Sequence, residues 1–215
     1  MINFLLKYPL FYRLYQKIVR KKFDEYDFLK YIFKFQTSKN QARVLDLCCA
    51  DSFILNYIGN DIEDYMGIDF NDHCIKESNE KWNKFTFKKL DLTDKTTYDK
   101  LLHFKPNFIL VHGAFHHLND ETVEKIINFI NNYFPNCTFI SVDPVKYQNK
   151  ILNKLMIKLD RGKFIRTPEI YKNLINGYKY FITDDFYKMS FKYIFFYKNL
   201  DLSEIYKKWM LIRLQ

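Results

Sequence analysis

Along residues 4–20, Phe4, Leu5, Tyr8, Phe11, Tyr12, Tyr15, Ile18 and Val19 recur at helical spacing with Lys and Arg between them. This pattern predicts an amphipathic helix, and a second helix is predicted over 25–35. From residue 43 the texture changes to short, uninterrupted apolar runs alternating with amphipathic stretches. The runs at 43–47, 65–68, 85–89, 107–112 and 138–142 predict five strands. The stretches 52–58, 72–82, 94–102 and 119–133 predict the helices between them.

Strands joined through helices pair in parallel, because a crossover connection is needed to return the chain to the same end of the sheet. Right-handed crossovers then place helices on both faces. The runs VLDL and FILV are apolar at nearly every position, as strands covered on both sides require. After Asp143-Pro144 the rhythm breaks. Residues 147–159 read as helical, 160–167 as a basic turn, and Pro168 as the first turn of a helix ending near Gly177. Segments 178–183 and 191–198 read as a closing antiparallel hairpin. The expected fold class is α/β: a doubly wound, mostly parallel, seven-stranded Rossmann-like sheet with an N-terminal helical cap. One domain over 1–215 is expected, divided into a cap (1–38), a core (39–145), a helical insertion (146–177) and C-terminal strands with a tail (178–215).

Composition changes this picture little. Hydrophobic residues make up 48% and charged residues 27%, so a disordered chain is excluded. The aromatic share of 19% fits a codon bias toward Phe and Tyr and is not read as stacking function. The net charge of +9, from 34 Lys+Arg against 25 Asp+Glu, would suit nucleic acid, an anionic surface or a phosphorylated substrate. The basic residues are scattered, with Arg20-Lys21-Lys22 the densest cluster, so solubility charge is the preferred reading. Four cysteines without a CxxC pair exclude zinc ribbons and disulfide frameworks, and the chain reads as reduced and cytoplasmic. The N-terminal stretch lacks the apolar core and cleavage site of a signal peptide. No run approaches the ~18 apolar residues of a membrane span, although the aromatic face of 4–20 could make weak peripheral contact with a membrane. His112 and His116 are spaced as metal ligands can be, but no third ligand accompanies them, and no metal is expected.

The chemistry is expected at the carboxyl ends of the strands, where open α/β sheets bind ligands. Asp46-Leu47-Cys48-Cys49-Ala50-Asp51-Ser52 follows the first strand, Asp69-Phe70 the second, Asp91-Leu92 the third and His112-Gly113-Ala114-Phe115-His116-His117-Leu118 the fourth. A carboxylate beyond the second strand can accept both hydroxyls of a ribose. A loop of small residues lets backbone N–H groups approach a ligand. An acid beside a leucine suits an adenine ring and its exocyclic amine.

The succession VLDLCCADS, YMGIDF, KKLDLTD and ILVHGAFHHL resembles the motifs of class I S-adenosylmethionine-dependent methyltransferases over residues 43–143. The resemblance implies S-adenosylmethionine as cofactor, with Asp46 supporting its methionine end, Asp69 its ribose and Asp91-Leu92 its adenine. Phe70 and His112 complete the expected cofactor set. The family's loop glycines are replaced here by Cys48, Ala50 and Ser52, all small. Cys48 is expected to fill a glycine position and Cys49 to pack inward. The helix ahead of the core and Asp160–Arg166 (DRGKFIR) after it resemble bacterial methyltransferases of surface-polysaccharide and small-molecule biosynthesis.

The implied activity is methyl transfer to an oxygen or nitrogen of a small-molecule or glycan-linked acceptor. His116 or His117 could remove the acceptor's proton, or the pair could only shape the pocket wall. Arg161, Lys163 and Arg166 could hold an anionic acceptor or form a solvated basic loop, and Tyr12 could lid the pocket. Asp143, at the end of the fifth strand and just before Pro144, could face the pocket or start the next turn, and the turn is the preferred reading. An RNA acceptor would suit the basic balance, but HGAFHHL stands where an NPPY-like motif would be expected, and nucleic acid is not the preferred partner. The missing glycines give a second reading, a catalytically silent binding protein.

Overall fold

The computed structural model describes residues 24–36, 41–146, 154, 157–158, 160, 162–184, 186 and 192–213. The helix expected over 4–20, with Tyr12, and the Arg20-Lys21-Lys22 cluster lie outside them, as do Arg161 and most of the helix expected over 147–159. In chain order the elements are α1 (Glu25–Gln36), β1 (Arg43–Leu47), α2 (Leu55–Ile58), β2 (Asp64–Asp69), α3 (Asp72–Lys81), β3 (Thr86–Lys89) and α4 (Thr96–Leu101). They continue with β4 (Phe108–His112), α5 (Asp120–Tyr133), β5 (Thr138–Pro144), α6 (Pro168–Leu174), β6 (Lys179–Thr183), β7 (Tyr193–Lys198) and α7 (Leu202–Arg213).

The sheet runs β3-β2-β1-β4-β5-β7-β6. The first five strands are parallel, and β7 is antiparallel to both β5 and β6. The strands send alternate side chains to two apolar layers. Val44, Leu110, Ile140 and Phe195 join α1, α2 and α7 on one face. Leu45, Ile109, Phe139 and Phe196 join α4, α5 and α6 on the other. The sheet is therefore doubly wound, as the continuous apolar runs require. The strand order reverses between β1 and β4, which opens the crevice where ligands of such sheets bind.

Helix starts are set by local side-chain caps. Asn71 accepts from the His73 and Cys74 amides at α3, and Asn119 accepts from the Thr122 amide at α5. The segment 199–215, read from sequence as a tail, instead contains α7. Asp201 receives the Glu204 amide at its start, and Leu202, Ile205 and Trp209 are buried along one face. Trp209 seats against Phe28 of α1 with ring centroids 5.0 Å apart. Among the described residues no helix is long and apolar enough to cross a membrane.

Two local features shape the loop after β1. Gly67 in β2 leaves room for the Tyr65 ring, Cys49 and Phe87; a Cβ there would stand 2.8 Å from Cys49 Sγ and 2.9 Å from the Tyr65 ring. In the loop itself Cys48, Ala50 and Ser52 take φ of 65°, 47° and 51°. The three residues that replace the family's glycines thus keep the left-handed backbone that glycine favours. Each costs about 1–2 kcal/mol relative to a right-handed conformation.

Ala50 is exposed, so its methyl group makes little packing to offset that cost. Ala50→Gly should stabilise the protein by about 0.5–1 kcal/mol after the flexibility of glycine in the unfolded chain is counted. Thermal unfolding should register this as a rise of roughly 1–4 °C. Gly67→Ala should destabilise by about 1–3 kcal/mol through overpacking, measured by urea unfolding with an unchanged slope.

Candidate functional site

Four strand tips bring their side chains to one edge of the sheet. Asp46 of β1 is 2% exposed, and Tyr65 of β2 donates its hydroxyl to Oδ2 at 2.5 Å. Its other oxygen, Oδ1, is buried without a hydrogen-bond partner. Burial pushes the Asp46 carboxyl up to about 7; the Tyr65 hydrogen bond pulls it down and the nearby Asp69 charge pushes it further up. An acid held in this state is suited to meeting a cation, which would satisfy Oδ1 and favour the ionised form.

Asp69, at the end of β2, is 8% exposed and organises two loops. Oδ2 accepts the Ala50 amide at 3.0 Å and Oδ1 the Asn71 amide at 2.8 Å. Each carboxylate oxygen has a second lone pair, so both remain able to accept from ligand hydroxyls. The Cys49 amide donates to Ile68 O, and the Ser52 amide to Cys49 O, which closes the turn. Ser52 is fully buried, and Ser78 Oγ of α3 stands 3.2 Å from its Oγ. Cys49 packs inward and Cys48 is half-buried, as expected. Burial, together with the charges of Asp69, Asp46, Asp143 and Asp91, pushes the Cys48 thiol up, so it is a poor nucleophile.

Phe70 is exposed at 70%, an open apolar plate beside Asp69. Asp91 is exposed, and its Oδ1 accepts the Thr93 amide and hydroxyl, both at 2.8 Å. Leu92 is buried, with its carbonyl receiving the Tyr98 hydroxyl. His112 ends β4 half-buried, its ring centroid 4.9 Å from Tyr26 of α1.

His116 and His117 follow β4 in a short 3-10 turn with ring centroids 4.1 Å apart. They differ sharply. His117 is exposed, whereas His116 is 6% exposed and lies between two carboxylates. Its Nδ1 is 2.9 Å from Asp143 Oδ1 and its Nε2 3.3 Å from Asp160 Oδ1. Burial opposes a charged imidazole, but the hydrogen bonds and charges of Asp143 and Asp160 outweigh it and push His116 up to about 9. Asp143, read from sequence as the start of a turn, lies instead within β5, is 1% exposed and also accepts the His116 amide.

Two basic residues expected to hold an acceptor are separated by the structure. Lys163 is exposed. Arg166 is corrected: it is 4% exposed and all five of its N–H donors are committed. Nε and Nη2 donate to Asp120 Oδ1, Nη1 to the carbonyls of Phe115 and Phe164, and Nη2 also to Leu118 O. It bolts residues 164–166 to the turn after β4 and to the start of α5, with no donor left for an anionic acceptor. Tyr65 and Asp160 were not singled out from sequence as site residues; for Asp143 the sequence left a pocket-facing position open beside the preferred turn. The signal for Tyr65 was available: the buried residue two before Gly67 on β2 faces the same layer as Asp46 on the adjacent strand. The pairing of Asp143 with Asp160 across His116 depends on tertiary structure alone.

No protein-family model matches this chain, and no curated protein sequence matches it. Solved structures do. Magnesium protoporphyrin IX methyltransferase (ChlM) from Synechocystis PCC 6803 with bound SAH superposes with a TM-score of 0.59 at 13% identity, covering 80% of each chain. The plantazolicin methyltransferase BpumL, in complex with a triazolic desmethylPZN analog and SAH, gives 0.54 at 16% identity over 82% of this chain and 84% of that one. The methyltransferase domain of bacterial CtHen1 gives 0.54 at 13% identity over 79% and 98%. With this strand order, and with acids at the tips of β1 and β2, the chain has the fold of the class I methyltransferases.

Proposed function

We propose that this protein transfers the methyl group of S-adenosylmethionine to an oxygen or nitrogen of a small-molecule or glycan-linked acceptor. The observation that carries the reading is the buried, unpartnered Asp46 Oδ1 beside a glycine-type loop tied to Asp69. A buried carboxylate oxygen left without a partner costs about 1–3 kcal/mol or more, and a ligand ammonium would relieve it. The residues present fit the cofactor. Asp46 would receive its amino group, the loop Cys48–Ser52 would pass its methionine tail, Asp69 would accept the ribose hydroxyls, and Leu92 and Phe70 would flank the adenine.

When bound, S-adenosylmethionine supplies a methyl group on a sulfonium, open to in-line attack. The protein's own work is to position and dehydrate the acceptor, an effect worth up to ~7–11 kcal/mol in ideal cases. One of the two histidines after β4 would take the proton of an acceptor hydroxyl or amine. The insertion expected over 146–177 would then be the part free to set which acceptor enters. The acidic strand tips suit the net positive cofactor.

Calorimetric titration of the purified chain with S-adenosylmethionine tests this directly. Saturable binding is the expected result; no heat and no thermal shift at millimolar ligand would leave a silent protein of the same fold. Asp46→Asn keeps an acceptor for Tyr65 but removes the charge. It should weaken cofactor binding by about ten- to hundredfold while raising the melting temperature of the free protein at pH 8, because a buried charge is lost. The pH sign is fixed by the Asp46 carboxyl, which holds its proton below about 7. Affinity should therefore fall by up to about tenfold per unit as the pH drops below 7, a dependence absent in Asp46→Asn.

A further inference from the structure

We propose that Asp143 and Asp160 are positioning residues that hold His116 as an imidazolium, forming a proton-dependent clasp that fixes residues 162–166 as a wall of the acceptor site. Only the word "acceptor" rests on the methyl-transfer reading; the clasp itself rests on geometry.

The first observation is the number of acceptors. His116 has a carboxylate oxygen at each ring nitrogen, from Asp143 of β5 and from Asp160 of the later segment. Burial raises the proton affinity of Asp143, while the His116 hydrogen bond and charge oppose that; with both acids ionised, a neutral imidazole carries one N–H and leaves one of these contacts as two facing lone pairs. An imidazolium donates to both. The second observation is how much backbone the ring organises. The Phe164 amide donates to His116 O at 2.9 Å, and the His116 amide to Asp143 at 3.1 Å. The Gly162 amide donates to the same Asp160 oxygen at 2.6 Å. The segment then continues to Arg166, whose carbonyl receives the Lys146 amide just past β5. The third observation is the fit at Gly162, where a Cβ would stand 2.1 Å from His116 Cδ2. The segment closes directly over the imidazole because a glycine occupies that position.

The charges around the ring are named readily. Asp143 faces it from β5, Asp160 from the segment, and His117 from its own turn. Arg166 and Asp120 pair beside it, and the Tyr171 hydroxyl of α6 reaches Pro144 O within the field of Asp143. Apart from His117, they leave one imidazolium against two carboxylates, next to a balanced Arg–Asp pair. Burial pushes Asp160 up, but the His116 hydrogen bond and charge bring it below the usual carboxylate range. Because His116 lies above its ordinary 6.5, the stabilisation it supplies is complete below pH 6.5 and is lost as the pH rises through about 9. A ring that already donates from both nitrogens near neutrality does not accept a proton there. Of the two histidines, His117 is then the one left for that task.

The test needs neither cofactor nor acceptor, so its outcome is separable from that of the titration above. Long-range nitrogen–proton NMR of histidine-labelled protein should give both His116 ring nitrogens as protonated at pH 7.5, with titration near 9. In Asp160→Asn the titration should move down by at least about one unit. Hydrogen exchange supplies the backbone readout. Protection of the Phe164 amide, corrected for intrinsic rate, should fall as the pH passes 9 in the parent chain and at lower pH in Asp160→Asn. Gly162→Ala should lower that protection by about tenfold or more at every pH, since it displaces the ring without altering a charge. A single protonated nitrogen on His116 at pH 7.5 would overturn the proposal. So would Phe164 protection that is indifferent to both substitutions. Cofactor binding that persists beside such a failure would leave the methyl-transfer reading standing.

Discussion

The carboxylate of Asp69 holds together two pieces of backbone that would not keep their shape alone. One is a loop in which three non-glycine residues adopt left-handed conformations within five positions. The other is the turn that hands β2 over to α3. By accepting the Ala50 and Asn71 amides, Asp69 fixes the separation between them, and Asn71 in turn caps the helix that follows. The Cys49 amide, bonded to Ile68 O, adds a second tie to the same strand. The loop's strain is met during folding, as part of a unit that includes β1, β2 and α3, and the ligand edge is preformed as a result.

The distribution of charge follows from this edge rather than from the whole chain. The protein carries a formal +9, yet the tips of the parallel strands and the loops that follow them present Asp46, Asp69, Asp91 and Asp143. The Asp69 charge raises the proton affinity of the buried Asp46 carboxyl, and all four acids raise that of the Cys48 thiol among them. A buried acid of raised proton affinity, with no hydrogen-bond partner at Oδ1 among the described residues, is suited to meeting a cation. The basic surplus belongs to residues outside the described ones, Arg20-Lys21-Lys22 among them, and says little about the site. A reading of function from net charge would have pointed toward polyanions, and the sheet edge points the other way.

Much of the architecture was legible in the sequence because it rests on short-range rules. Apolar runs gave each parallel strand to within two residues, and Pro168 opened α6 as its missing N–H allows. The acids at the strand tips could be placed because β-strand termini are set by the same runs. The helix Leu202–Arg213 was overlooked although Leu202, Ile205 and Trp209 carry its spacing; the mixed Lys and Tyr between them obscured the face. What could not be read was the partnering of polar groups. Arg166 and Lys163 look alike in a basic heptapeptide, but one is encased by three carbonyls and a carboxylate while the other meets solvent. Asp143 beside a proline has the local signature of a turn, and only the pairing of β5 with β7 keeps it in a strand.

The insertion of β7 between β5 and β6 has a consequence for how the chain must assemble. Strand β6 is made before β7, yet among the described residues its neighbour in the sheet is β7. Until Tyr193–Lys198 arrives, β5 presents a bare hydrogen-bonding edge and β6 has nothing to pair with. Completion of the central layer therefore waits for a late, non-local event, and the nascent molecule carries an adhesive rim from the completion of β5 until β7 is made.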